Sequence, residues 1–431
     1  MIKLLKSGYV SRIVFLPVVF FVFLQSNAQK IRIACVGNSI TYGYGVVNRQ
    51  QNSYPAQLQH LLGNDYEVGN FGVSGTTLLK KGNLPYWNTK AYSDALAFQP
   101  NIVFIMLGTN DSKAVNRPYL SEFESDYVQF IHQFSELPSH PRIVLLLPIP
   151  SFLTDSNSIY DPVITKQIIP AIQSVAYKTN KELVGLYNLF VDKSNLLPDK
   201  IHPSSIGAGI IARRLYETVK LHEKNDFDIF SMLKLPVTHS SFYGFNCGDF
   251  IFKGRHCKIV QPRKAAEGLP WIWRARFWGH EPQTDLALLE RGFHLVYCDV
   301  SEWYGNKEAV KSWNSFYTLL RQAGLARKVV LEGMSRGGVY IYNWALANPR
   351  KVACIYADAP VLDLKSWPGG KGKSKGSAAD WEIFKKDYAL TEEQALHFSF
   401  SPLDNAAKIA KLHFPMLHVV GDADEVVPVE E

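Results

Sequence analysis

Three short segments, Ile31–Val36, Asn101–Leu107 and Arg142–Leu147, are almost wholly apolar. A strand with one wet face alternates apolar and polar residues. Runs that do not alternate are strands covered on both faces, as in a parallel sheet held between two layers of helices. Helix-like stretches separate these runs, so the pattern predicts an α/β, doubly wound parallel sheet in a domain spanning residues 29–223. Residues 224–239 carry mixed charge and Pro236, break the alternation, and are expected as a linker. A second alternation fills residues 240–431, with strands expected near Phe245–Phe252, His256–Val260, Trp271–Phe277, Phe293–Asp299, Lys328–Glu332, Val352–Ala357 and Met416–Val420. Helix-like stretches such as Thr284–Arg291 and Arg336–Asn348 lie between the later strands, which predicts a second α/β domain with an antiparallel beginning.

The length of 431 residues agrees with two domains at about 100–200 residues each. Hydrophobic residues at 47% and charged residues at 20% exclude long disorder and a polytopic membrane protein. Of the net charge of +7, three units are Lys3, Lys6 and Arg12, which no acid opposes in the first 28 residues. The remainder is too mildly basic to imply a nucleic-acid partner. That first segment continues into the apolar run Ile13–Leu24 and then Ser26-Asn27-Ala28, the small-x-small pattern of a cleavage site. It is expected to be a secretory signal cut after Ala28, because a run of 12 residues is too short to cross a hydrocarbon core of about 30 Å. No stable membrane insertion is expected after cleavage. Five cysteines are too few and odd in number for a disulfide framework. Cys35, Cys298 and Cys354 lie in strand-like runs and are expected as buried thiols, whereas Cys247 and Cys257 flank an expected hairpin and are candidates for a disulfide.

The strand at Ile31–Val36 runs into Gly37-Asn38-Ser39-Ile40-Thr41, so Ser39 stands where a parallel strand ends and the chain turns, the usual place for a site in such sheets. Three more segments occupy similar strand ends: Asn70-Phe71-Gly72-Val73-Ser74-Gly75, Gly108-Thr109-Asn110-Asp111 and Asp199-Lys200-Ile201-His202-Pro203. An alcohol needs a base to become a nucleophile, and a tetrahedral intermediate needs donors aimed at its oxyanion. Taken singly, these residues read equally well as turn formers, helix caps or a surface Asp/His pair. With the four blocks in order, Lys30 to about Glu223 resembles the SGNH (GDSL-type) hydrolase superfamily, whose sheet is flavodoxin-like. The resemblance implies Ser39 as nucleophile, His202 as general base and Asp199 as the acid orienting it. It implies the N–H groups of Ser39 and Gly75 and the side-chain amide of Asn110 as oxyanion donors. Asn38 stands where that family often has Asp, and it can make similar turn-stabilising hydrogen bonds. The chemistry requires no metal and no cofactor.

A second constellation begins at Lys328-Val-Val-Leu-Glu-Gly-Met-Ser335-Arg-Gly-Gly338, a strand entering G-x-S-x-G and then a helix. Further on, Met416–Val420 leads into Gly421-Asp422-Ala423-Asp424. This region resembles the α/β-hydrolase superfamily. The resemblance implies Ser335 as nucleophile and Asp424 as the acid, with Asp422 second. It implies the N–H of Arg336 as an oxyanion donor, with a second donor from the loop near Trp278 and Gly279. No histidine follows Asp424 in the sequence. The expectation is that the natural product continues past Glu431 to a histidine, and that the second site of the present chain is incomplete and inactive. His413 and His418 lie on or beside the strand and are expected to be structural.

Eight of the nine tryptophans fall in the second domain. Trp313 and Trp344 read as core, while Trp278 and Trp367 are expected at a sugar-binding surface, with Lys371, Lys373 and Lys375 of the adjoining loop read by default as solvated charge and alternatively as contacts to an acidic glycan. Export together with two hydrolase resemblances points to a secreted or periplasmic serine esterase that removes acyl groups, chiefly acetyl, from plant polysaccharides. Two other readings stay open at this level. One is a lipase, thioesterase or peptidase on the same folds; the other is a glycan-binding protein with one or both domains inactive.

Overall fold

The computed structural model describes residues 30–220 and 226–429, so the expected signal segment lies outside the described residues. The first sheet has five parallel strands, β1 (Ile31–Gly37), β2 (Tyr66–Gly72), β3 (Ile102–Met106), β4 (Arg142–Leu146) and β5 (Glu182–Val184), in the order β2-β1-β3-β4-β5. Every residue of β3 is buried, as its unbroken apolar run requires. Alternate residues of each strand feed opposite layers. Val103 and Ile105 pack with Tyr127 and Phe130 of the helix Phe123–Ser135, while Ile102 and Phe104 pack with Leu58 and with Ile211 of the helix Ser205–Lys220. Each side chain of this size contributes roughly 1.5–3 kcal/mol on full burial. Successive crossovers leave β1 on opposite sides, so the strand order switches between β1 and β3 and opens a crevice at their carboxyl ends.

The second sheet has eight strands in the order β13-β12-β11-β9-β10-β8-β7-β6. Three open it: β6 (Thr238–Phe242), β7 (Phe245–Phe252) and β8 (Arg255–Gln261), all antiparallel. The rest are β9 (Trp271–Ala275), β10 (His294–Cys298), β11 (Val329–Met334), β12 (Val352–Asp358) and β13 (Met416–Val419), which pair in parallel. This is the expected mixed α/β-hydrolase-type sheet. Its core is aromatic, with the Trp273 and Trp313 rings stacked at 4.2 Å and Trp344 edge-on to Trp273 at 5.4 Å. Within the segment expected as a linker, Ile229–Leu233 form a helix whose two terminal residues are buried in that core.

The candidate Cys247–Cys257 bridge does not form, and all five cysteines are free thiols. The β7–β8 register sets Cys247 opposite Val260 and Cys257 opposite Phe250, so the two thiols are not partners across the hairpin. Cys257 is instead paired in register with Cys298 of β10. Where the two sheets' domains meet, Arg214 donates to the carboxylate of Glu290 at 2.7 Å, and Glu290 also accepts the N–H of Gly185. Among the described residues no helix is long and apolar enough to cross a membrane.

Candidate active site

Ser39 follows the end of β1, at the switch point. Gly37 has no room for a side chain, since a Cβ there would lie 2.2 Å from Thr41 Oγ1 and 2.7 Å from the Met106 carbonyl of β3. Asn38 accepts the N–H of Ile40 through its side chain at 3.0 Å, turning the chain so that Ser39 begins a single helical turn. This is the turn-stabilising bond expected of Asn at that position.

His202 arrives from the far end of the domain. Its Nε2 is 2.7 Å from Ser39 Oγ and its Nδ1 is 2.6 Å from Asp199 Oδ2. Asp199 Oδ1 also accepts the N–H groups of Ile201 and His202, at 3.1 and 2.7 Å, so one carboxylate fixes both the turn and the ring. Burial pushes the Asp199 carboxyl upward, but the bonds from His202 and Ile201 outweigh it and hold the group below the usual carboxylate range. An ionised Asp199 requires the imidazole proton on Nδ1, which leaves Nε2 to accept from the Ser39 hydroxyl. A hydroxyl, an imidazole and a carboxylate in this line can deprotonate the hydroxyl as it attacks.

The loop after β2 is tied to the same place, because Val73 N–H donates to the Gly37 carbonyl at 2.9 Å. Two residues on, Gly75 has φ 84°, a left-handed conformation that suits glycine. Asn110 is buried just beyond β3, and its Nδ2 donates to the Thr76 carbonyl at 3.0 Å. An amide has two N–H groups, so this bond sets the plane of the amide and leaves a second donor for the crevice.

Asp111 is a residue whose part the sequence did not reveal. Fully buried, it accepts the N–H groups of Leu78 and Leu79 at 3.1 and 2.8 Å and so pins the loop that carries Gly75. Burial outweighs those bonds and pushes its carboxyl up to about 6. Tyr44 is another: its ring centroid lies 4.7 Å from that of His202. The only sequence signal for either was proximity to Asn110 or Ser39.

The second elbow is formed but lacks an imidazole. Ser335 has φ 48°, donates its N–H to the Asp358 carbonyl, and opens onto the helix Gly337–Ala347. A Cβ on Gly337 would lie 2.6 Å from the Ala275 carbonyl of β9, so the tight turn needs that glycine. Among the described residues no histidine hydrogen-bonds Ser335. The Asp424 carboxylate is taken up by the N–H groups of Val426 and Val427, at 2.8 and 2.9 Å, and Asp422 is exposed. His418 pairs with the Tyr342 hydroxyl. The side chain of Arg336 bonds Asp380 at 2.7 Å and lies over the Trp367 ring at 5.3 Å.

Of the two tryptophans expected at a sugar surface, Trp367 is closed and Trp278 is partly open. Trp367 is only 8% exposed, with Arg336 covering its face. Trp278 is half-buried against Phe242 at 4.9 Å and Tyr297 at 5.5 Å. Lys375, expected beside them, is paired with Glu425.

An acetylxylan esterase of Xylanibacter ruminicola is 43% identical over 208 residues, covering 44% of this chain and 43% of that protein. The chain thus spans less than half the length of this curated relative. Among solved structures, a carbohydrate acetylesterase from Sinorhizobium meliloti aligns at 17% identity, over 44% of this chain and 98% of its own, with a TM-score of 0.36. An acetylxylan esterase from Geobacillus stearothermophilus aligns at 22% identity, over 45% of this chain and 97% of its own, also with a TM-score of 0.36. Residues 35–210 match the GDSL-like lipase/acylhydrolase family and residues 317–431 match the prolyl oligopeptidase family, so the chain joins a GDSL-like domain to an α/β-hydrolase-type region.

Proposed function

We propose that this chain is an exported carbohydrate O-acetylesterase whose working site is Ser39, His202 and Asp199. The observation that carries the reading is the unbroken line from Asp199 through His202 to Ser39, together with Asn110, beyond β3, bonded to the Thr76 carbonyl of the loop that carries Gly75. In this reading Ser39 Oγ attacks the acetyl carbonyl carbon while its proton passes to His202 Nε2. The oxyanion is met by the N–H groups of Ser39 and Gly75 and by the second amide hydrogen of Asn110. Collapse breaks the bond to the sugar oxygen, which takes the proton from Nε2 and leaves acetyl on Ser39. Water, deprotonated by the same imidazole, then releases acetate.

The likeness to an acetylxylan esterase supports acetylated xylan as substrate, and the pattern of residues 1–28 supports export. We ascribe activity to the first site, and to the second the elbow serine Ser335, the acid Asp424 and the oxyanion donor Arg336, lacking a base among the described residues. The domains divide at residues 29–223 and 240–431 in this reading. Acetate released from acetylated xylan by the purified protein, measured enzymatically, tests it; release that is absent, or that persists in Ser39→Ala, overturns it.

A further inference from the structure

Tyr44 stands at the mouth of the first site with its ring 52% exposed, although its backbone is firmly held. Its N–H donates to the carbonyl of Ser39 itself at 2.9 Å, and Gly43 and Gly45, both left-handed, bracket it. The backbone that carries the ring is therefore fixed relative to the nucleophile. The ring leans against the His202 imidazole at a centroid distance of 4.7 Å and an interplanar angle of 47°. The neighbouring Tyr42 is also exposed, but the Arg49 guanidinium lies over its ring at 4.0 Å. Of the two exposed tyrosines in this turn, Tyr44 has the uncapped face.

The chemistry of acyl transfer says which part of a substrate meets that face. The oxyanion turns toward Gly75 and Asn110, and the departing alcohol oxygen must reach His202 Nε2 to take its proton. The alcohol half of the ester therefore lies on the imidazole side, where Tyr44 is. An open aromatic face suits a pyranose, whose axial C–H groups make an apolar surface flanked by hydroxyls.

We propose that Tyr44 is the platform for the leaving sugar, a specificity-determining residue that stacks on the pyranose ring bearing the acetyl group. The proposal rests on the esterase reading given above and names its alcohol-side subsite. A ring that merely steadied His202 would serve every ester alike, whereas a sugar platform serves only esters whose alcohol is a ring.

The test compares two substrates, acetylated xylobiose and ethyl acetate, whose leaving group has no ring, by titrating the acid released. Tyr44→Ala is expected to lower kcat/KM for acetylated xylobiose by at least about tenfold more than for ethyl acetate, mostly through KM. Tyr44→Trp and Tyr44→Phe, which keep a flat face, are expected to restore most of the difference. Equal losses on both esters, or a sugar preference that survives Tyr44→Ala, overturn the platform while leaving the esterase reading in place. A wild-type protein that hydrolyses ethyl acetate but not the acetylated sugar overturns both.

Discussion

His202 Nε2 lies 2.7 Å from Ser39 Oγ, although 163 positions of chain separate the two residues. No comparable contact exists at Ser335 among the described residues, so the two serines make opposite predictions. Ser39→Ala is expected to abolish turnover of p-nitrophenyl acetate, since loss of a triad nucleophile costs about 10⁶ in kcat in the best-studied serine hydrolase. Ser335→Ala is expected to retain most of it. Turnover that survives the first substitution and vanishes with the second would reverse the assignment of the working domain.

Asn110 is placed to separate catalysis from stability. Loss of one oxyanion donor typically lowers kcat by about 10²–10³ with little effect on KM. Loss of the bond to the Thr76 carbonyl should cost only about 1 kcal/mol of stability. Asn110→Ala is thus expected to show a large fall in kcat beside a small fall in denaturation midpoint. An effect confined to KM would make Asn110 a ground-state contact.

How much of this was legible in the sequence depended on whether the signal was local. β1, β3 and β4 announced themselves because strands buried on both faces need unbroken apolar runs. β2 did not, being an edge strand with no buried residue, and β5 has only three residues. Asp199 and His202 were legible through the resemblance that the four blocks carry in order, since an acid three residues before a histidine reads equally well as a surface pair. Asp111 and Tyr44 were not, since their meaning comes from Leu79 and His202, which the fold brings to them. Trp367 misled because an aromatic residue beside a loop looks the same in sequence whether it faces solvent or, as here, is roofed by an arginine.

The junction between the domains offers a stability test. Arg214 and Glu290 have side chains only 4% and 8% exposed and pair at 2.7 Å. Burial pushes the Glu290 carboxyl upward and the Arg214 guanidinium opposes it. Glu290→Ala leaves the buried guanidinium with Glu217, at 3.8 Å, as its remaining acid, and removing one member of a buried pair typically costs about 3–5 kcal/mol. The double variant Glu290→Ala/Arg214→Met should recover part of that loss in calorimetry. If the double variant is as unstable as the sum of the single ones, the two residues are not coupled.

His294 on β10 predicts an acid-sensitive second domain. The imidazole is fully buried, with Phe227 edge-on at 5.5 Å, and among the described residues neither ring nitrogen has a hydrogen-bond partner. Burial disfavours the charged form, and the nearby Pro270 carbonyl offsets only part of that, so the group is lowered from 6.5 to about 4. Between these values the unfolded chain binds a proton that the folded chain refuses. Stability from this group is full above pH 6.5 and is lost as pH falls toward 4, by about 1.4 kcal/mol per pH unit and about 3 kcal/mol in all. Asp111, raised to about 6, acts with the opposite sign, since its folded form takes up a proton first as pH falls. The whole pH profile is therefore not diagnostic, but the difference between wild type and His294→Leu is, because both proteins keep Asp111. At pH 7 the substitution should change stability little, since it removes a buried polar ring without partners. At pH 5 the variant should be ahead by about 2 kcal/mol in urea denaturation, having no imidazole to protonate on unfolding. Parallel pH profiles for the two proteins would mean that His294 finds a partner or reaches solvent.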